Sequence, residues 1–369
     1  LRRVALVHDW LTGMRGGEKA LEVLCELYPE AEIFALLSVR GSVSAPITRL
    51  RTHTSFVQLL PFASRAYRHM LPLFPTAIET FDLDGFDLVI STSHCAAKSV
   101  IVPGRARHLC YCFTPMRYAW DQFDQYFGAG RVGPLQHAAA RTIMRRMARW
   151  DRATADRVGR YVAISRHVAS RIRRYYNRDS VVVYPPVDTR FYVPGGARGS
   201  YFLIVSALVP YKRVDIAVEA ARRAEVPLRI VGHGPERARL EALGGGTVEF
   251  LGTRTDEEIR DLYQGCCAVV LPGEEDFGIV PVEAQACGRP VVALGRGGAL
   301  ETVEPGVTGE LAEGDDPDAL ATAMRACRDR NYDCAGIRAH AERFSRDRFR
   351  SELSAAIDDV LDRPAGLRW

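Results

Sequence analysis

The sequence predicts an α/β protein built on two parallel sheets, and three observations point there. Short apolar strands alternate with helix-length segments along the whole chain, the pattern of sheets wound with helices. At 369 residues the chain is too long for one ordinary core, so two domains are expected. A loop of turn formers, Val193-Pro194-Gly195-Gly196-Ala197-Arg198-Gly199, interrupts the pattern near the middle, where it reads as a domain boundary.

Taken in order, the first half predicts strands at Arg3–His8, Ala31–Leu36, Leu88–Ser91, His108–Cys112 and Gly159–Ile164, with Val181–Tyr184 closing it. Each is a short, largely apolar run, as in strands covered on both faces. The second half restarts with Tyr201–Val205, Leu228–Val231, Thr247–Phe250, Ala268–Leu271 and Pro290–Ala293. A helix is expected from about Val280 through Ala286, stopped by Gly288, and the tail from Ala341 to Leu361 reads as helical. The expected domains are therefore residues 1–190 and 199–340, followed by a closing segment over 341–369.

Composition narrows the function classes. With 47% hydrophobic and 25% charged residues, the chain reads as soluble and globular. No apolar run has the length of a membrane span, and the N-terminus reads as a strand rather than a signal sequence. Of nine cysteines, Cys25, Cys95, Cys266, Cys267 and Cys287 lie in apolar contexts. Cys110 and Cys112 are too close for a zinc pair, and no second pair exists. Buried thiols in a reducing cytoplasm are expected. The net charge of +4 is mild, yet Arg141, Arg145, Arg146, Arg149 and Arg152 recur at helical spacing beside Ile143, Met144, Met147 and Trp150. That run fits either a solvated helix face or peripheral contact with anionic lipid at the cytoplasmic face of the membrane. Met70-Leu71-Pro72-Leu73-Phe74-Pro75 is a second apolar stretch that could touch a bilayer. With no RNA- or DNA-binding motif, nucleic acid is not an expected partner.

The chemistry concentrates in Glu275-Asp276-Phe277-Gly278-Ile279-Val280-Pro281-Val282-Glu283. Two carboxylates stand eight positions apart across a Phe-Gly turn that leads from a buried strand into a helix. In open parallel sheets ligands bind outside the carboxyl ends of the strands, and a helix start there offers N–H groups to an anion or a sugar hydroxyl. Helix starts are enriched in acids, which accounts for Glu274, Glu275 and Asp276. It does not account for Glu283 inside an apolar helix. Ser206-Ala207-Leu208-Val209-Pro210-Tyr211-Lys212-Arg213 also follows a buried strand, and its two cations at a helix start suit a diphosphate. Val231-Gly232-His233-Gly234 is a tight glycine turn. In the first half, His8-Asp9-Trp10-Leu11-Thr12-Gly13-Met14-Arg15-Gly16-Gly17-Glu18 joins strand to helix, with glycines that permit close approach to phosphate. Its G-x-x-G-G spacing is not the dinucleotide fingerprint.

The nine-residue segment from Glu275 to Glu283 resembles the E-x7-E motif of retaining, family-4 glycosyltransferases of the GT-B fold, in which two Rossmann-like domains face each other across a deep cleft and a C-terminal helix, expected here over 341–369, crosses back to the first. The resemblance implies that Lys212 and Glu275 are catalytic. Lys212 would contact the donor phosphates, and Glu275 would face the donor sugar. Gly16, Gly17, Arg213, Gly232, Phe277, Gly278, Ile279 and Glu283 would complete the donor site, with Glu283 on the ribose. Cys110-Tyr111-Cys112-Phe113-Thr114-Pro115-Met116-Arg117-Tyr118-Ala119-Trp120-Asp121 resembles a subgroup containing O-antigen mannosyltransferases. On that likeness His94, Phe113 and Arg117 are acceptor-side residues, the donor is GDP-mannose, and the acceptor is a saccharide or polyprenyl-linked sugar of an envelope polysaccharide. No cofactor and no metal are expected. Three positions depart from the family pattern: Phe113 replaces a histidine, Ala207 replaces an arginine, and Ile164 stands where many relatives carry asparagine. His94 has a second reading as a satisfied interior histidine. Transfer from another nucleotide sugar of the UDP-glucose type, and a non-catalytic sugar-nucleotide-binding protein, are the competing functions.

Overall fold

In the computed structural model, which describes residues 2–128 and 133–362, the chain divides into two compact units. One takes Leu1–Pro185 and Phe349–Trp369, the other Pro186–Arg348. The first unit holds β1 (Val4–His8), β2 (Glu32–Ala35), β3 (Arg51–Thr54), β4 (Leu88–Ser93), β5 (Arg107–Cys112), β6 (Arg160–Ala163) and β7 (Ser180–Val182). They form a parallel sheet in the order β3-β2-β1-β4-β5-β6-β7. The second unit holds β8 (Phe202–Val205), β9 (Leu228–Val231), β10 (Val248–Gly252), β11 (Ala268–Leu271), β12 (Val291–Leu294) and β13 (Gly309–Ala312). Its parallel order is β10-β9-β8-β11-β12-β13. Each sheet reverses its winding once, between β1 and β4 and between β8 and β11. A crevice opens at the carboxyl ends of the strands at such a reversal.

The central strands are fully buried: Ala5, Leu6, Val7, Val89 and Ile90 in the first unit, and Phe202, Leu203, Val269 and Val291 in the second. Their apolar runs make them legible in the sequence. Two strands were not anticipated, β3 and β13, and both lie at a sheet edge. Arg51-Thr52-His53-Thr54 is largely solvent-facing, so it carries no apolar run, and its pairing to β2 supplies the order. Gly309-Glu310-Leu311-Ala312 is held in the same way by β12.

The tail also differs from a single helix. A helix over Cys334–Glu342 ends, and another runs over Arg346–Asp362. Between them Phe344 is buried against Phe277, with ring centroids 5.5 Å apart, and its carbonyl accepts from the Val187 amide at 2.9 Å. Satisfying that packing and that bond breaks the helical path. The last helix then buries Phe349, Leu353, Ile357 and Val360, and Phe349 meets Tyr111 of β5 edge-on at 5.4 Å.

Candidate active site

In the second unit, the winding reversal brings together the loops after β8 and β11. The first loop ends in a single 3-10 turn, Pro210–Lys212, and Arg213 adopts a left-handed φ of 51° before the helix Val214–Ala224. The second loop passes Gly273, where an added Cβ would lie 2.9 Å from the Tyr211 carbonyl. Only glycine permits that approach, and it is what presses the two loops together. The ammonium of Lys212 consequently pairs with the Glu275 carboxylate, both side chains being partly shielded. A third loop braces the arrangement. The Gly298 amide donates to the Glu275 carbonyl at 2.7 Å, and a Cβ at Gly298 would fall 2.3 Å from the Phe277 Cα. Sequence reading missed this Gly297-Gly298 brace; its signal was the glycine pair following β12.

Phe277 is buried and Gly278 turns the chain with a φ of 87° into the helix Ile279–Ala286. Ile279 opens that helix, whose first N–H groups have no partner within it. Cys287 caps it and Gly288, at φ 74°, ends it. Glu283 does not join Lys212 and Glu275. It is buried, and its Oε2 accepts from the Tyr263 hydroxyl at 3.0 Å. Burial, together with the Glu283 carboxylate beside it, drives the Tyr263 hydroxyl well above its ordinary range, so it stays a donor. Arg213 grips the two oxygens of Asp315 at 3.0 and 3.2 Å; sequence reading had no reason to select Asp315. Gly232 has a plain packing reason: at φ 129°, a Cβ there would lie 1.9 Å from the Ser206 carbonyl.

The first unit has its own constellation at the reversal between β1 and β4. Asp9, the residue after β1, is fully buried and accepts the amides of His94, Cys95, Ala96 and Ala97 at 2.6–3.0 Å. It also pairs with His94 Nδ1 at 3.0 Å. Burial by itself would raise the Asp9 carboxyl, but His94, through its ring and its own amide, and the neighbouring His8 hold it down at about 2. His94 is half-exposed, and its ring stands edge-on to Trp10 at 4.5 Å. His94 is among the residues expected from the sequence; Asp9 is not, and its one signal there is a carboxylate at the very end of a buried strand.

His8 lies next to this pair, its Nδ1 2.6 Å from Thr92 Oγ1 and its Nε2 3.8 Å from the buried Glu18 carboxylate. Phe113 continues β5 and places its ring 6.4 Å from both His8 and His94. A Cβ at Gly17 would sit 3.2 Å from that ring, so Gly17 makes room for Phe113. Gly16 is the first residue of the helix Gly16–Leu27, and Arg117 begins the short helix Arg117–Trp120. A buried ion pair underpins these loops. Lys98 Nζ lies 3.0 Å from Asp151 Oδ1, while Trp120 and Tyr176 donate to Asp151 Oδ2 at 2.7 and 2.8 Å.

Two parallel sheets that each reverse once, with an acid facing a basic side chain at each reversal, invite comparison with known proteins. Residues 196–341 match the family described as glycosyl transferases group 1. A D-inositol 3-phosphate glycosyltransferase of Geodermatophilus obscurus is 35% identical over 248 residues, which cover 58% of this chain and 54% of that protein. An uncharacterized glycosyltransferase of Methanocaldococcus jannaschii is 29% identical over 164 residues, 43% of this chain and 46% of that protein. The chain thus spans about half the length of these curated relatives. Among solved structures, Anabaena HepE in complex with UDP-glucose superposes with a TM-score of 0.69 at 20% identity, covering 96% of this chain and 99% of that one. The lipopolysaccharide outer core galactosyltransferase WaaB gives 0.66 at 18% identity, covering 97% and 99%. At such identities the likeness establishes the fold, which is GT-B with two Rossmann-like sheets.

Proposed function

We propose that this chain is a retaining glycosyltransferase that moves a hexose from a nucleotide sugar to a saccharide or polyprenyl-linked acceptor. The observation that carries this reading is the Lys212–Glu275 pair at the winding reversal of the second sheet. In the absence of donor the two charges neutralise each other. A diphosphate arriving there offers Lys212 a second anion, and the sugar hydroxyls offer Glu275 hydrogen-bond donors. Lys212 then balances the negative charge that builds on the departing diphosphate, the interaction that lowers the barrier. Glu275 orients the sugar, and an oxygen of the donor phosphate accepts the acceptor proton on the same face, so no covalent nucleophile enters. Glu283, with Tyr263 holding one oxygen, is the proposed ribose contact. Positioning and electrostatics are all that such a reaction asks of the protein.

GDP-mannose is the proposed donor, supported by the likeness of Cys110–Asp121 to the mannosyltransferase subgroup. A second reading, UDP-glucose, is favoured by the HepE complex with that donor. Calorimetric titration with GDP, UDP and ADP separates them, followed by turnover with GDP-mannose and UDP-glucose over a membrane lipid extract. Binding by none of the three nucleotides would overturn the transferase reading. Binding without turnover on any acceptor would leave a sugar-nucleotide-binding protein.

A further inference from the structure

We infer that the first unit carries a surface that docks on an anionic lipid bilayer, formed by residues 56–74 and the helix Pro134–Ala153. The tip of the first element is built to expose apolar groups. Leu59 is 84% and Phe62 77% exposed, with Phe56 and Leu73 partly so. Phe62 holds a left-handed φ of 58° between a 3-10 turn and the short helix Ala63–Ala66. A bulky residue strained in that region and turned to solvent is costly twice over.

Charge identifies the partner. Residues 56–78 contain no aspartate or glutamate, and Arg65 and Arg68 stand exposed among the apolar groups. Along the neighbouring helix Arg141, Arg145, Arg146, Arg149 and Arg152 are all exposed, and Leu135 near its start is 88% exposed. The helix's one acid, Asp151, is buried on Lys98. Among the described residues none of these seven arginines has a carboxylate within ion-pair distance. The two elements are neighbours, since Val57, Tyr67, Leu71 and Phe74 share one core cluster with Met144 and Met147. Trp150 also donates to Glu79 at 3.0 Å. Apolar tips beside unpaired guanidinium groups match acyl chains beneath phosphate headgroups. Among the described residues no helix is long and apolar enough to cross a membrane, so the contact is interfacial.

Vesicle sedimentation of the whole chain tests this without any reference to sugar transfer, so it can fail while the transferase reading stands, and the reverse. Vesicles of phosphatidylglycerol mixed with phosphatidylcholine should pellet the protein at low salt, and phosphatidylcholine alone should not. Leu59→Ser with Phe62→Ser, and separately Arg145→Glu with Arg149→Glu, should each weaken partitioning about tenfold or more. All four side chains are exposed, so both variants should keep the wild-type unfolding temperature. Phe62→Trp adds a second readout, an emission blue shift with the anionic vesicles only. Protein left in solution with anionic vesicles, equal binding to neutral ones, unaffected variants or an unshifted tryptophan would each overturn the proposal. Binding instead to an acidic protein or to nucleic acid, with none to vesicles, would do so as well.

Discussion

At the scale of single residues, each sheet reversal sets an acid against a basic side chain, Asp9 with His94 and Glu275 with Lys212, and the two acids differ in burial. Lys212 and Glu275 are partly open to solvent, so a ligand can take over each partner. Lys212→Ala should lower kcat about 10²–10³-fold, the usual effect of removing one group that stabilises leaving-group charge, with a smaller loss of nucleotide affinity. Turnover assays beside calorimetry would check it. Asp9 is instead sealed in. Its carboxyl, at about 2 against an ordinary 3.8, contributes stability that is complete above about pH 4 and lost as pH falls through 2. Asp9→Asn should therefore cost about 2 kcal/mol at pH 7. In urea unfolding the gap to wild type should narrow between pH 4 and pH 2. Phe113 cannot exchange a proton, and its ring fills the space over Gly17 beside two histidines. Phe113→His should raise turnover in a donor assay if proton handling there limits the rate. An unchanged or lower rate would place that role on the neighbouring His94–Asp9 pair.

At the scale of elements, the Glu275 loop is shaped from outside by Gly273 and Gly298, which stand too close to other backbone to carry side chains. Gly298→Ala should displace Phe277 and with it Glu275. Nucleotide binding should weaken tenfold or more, with far-UV circular dichroism unchanged, because β11 and β12 stay paired. Buried central strands were legible as apolar runs. The edge strands β3 and β13 were not, because an edge takes its order from one neighbour and needs no apolar face of its own. The break after Glu342 was equally hidden, since it comes from Phe344 reaching Phe277 and from a bond to Val187, partners remote in sequence. The loops that carry Lys212, Glu275 and His94 were legible as turns at the ends of buried strands. Their partners Asp9, Asp315 and Tyr263 were not, because no local pattern marks a side chain as the one that will meet a given motif.

At the scale of the whole molecule, the chain passes from the first unit to the second and returns, residues from Phe349 onward grouping with the first. Phe349 is buried against Tyr111. Phe349→Ala should destabilise the first unit by about 3–5 kcal/mol, seen in urea as an earlier transition of that unit alone. A bound nucleotide should act on the other unit. At a hundred times its Kd it would add about 2.7 kcal/mol, a rise of a few degrees in Tm that Lys212→Ala should diminish. The two perturbations address separate cores, so their effects should add.

By itself the sequence determined the α/β class, the restart of the pattern near residue 200, and the loops that carry Lys212, Glu275 and His94. These depend on local chemistry: periodicity, turn residues and charges at strand ends. Only the tertiary structure decided that Glu275 pairs with Lys212 while Glu283 turns inward to Tyr263. It also decided that a buried Asp9 stands behind His94, and that Leu59 and Phe62 face solvent beside exposed arginines. Those outcomes depend on which loops the winding reversals bring together and which faces the cores leave uncovered. Both are set by contacts between residues tens of positions apart, where a linear pattern carries no signal.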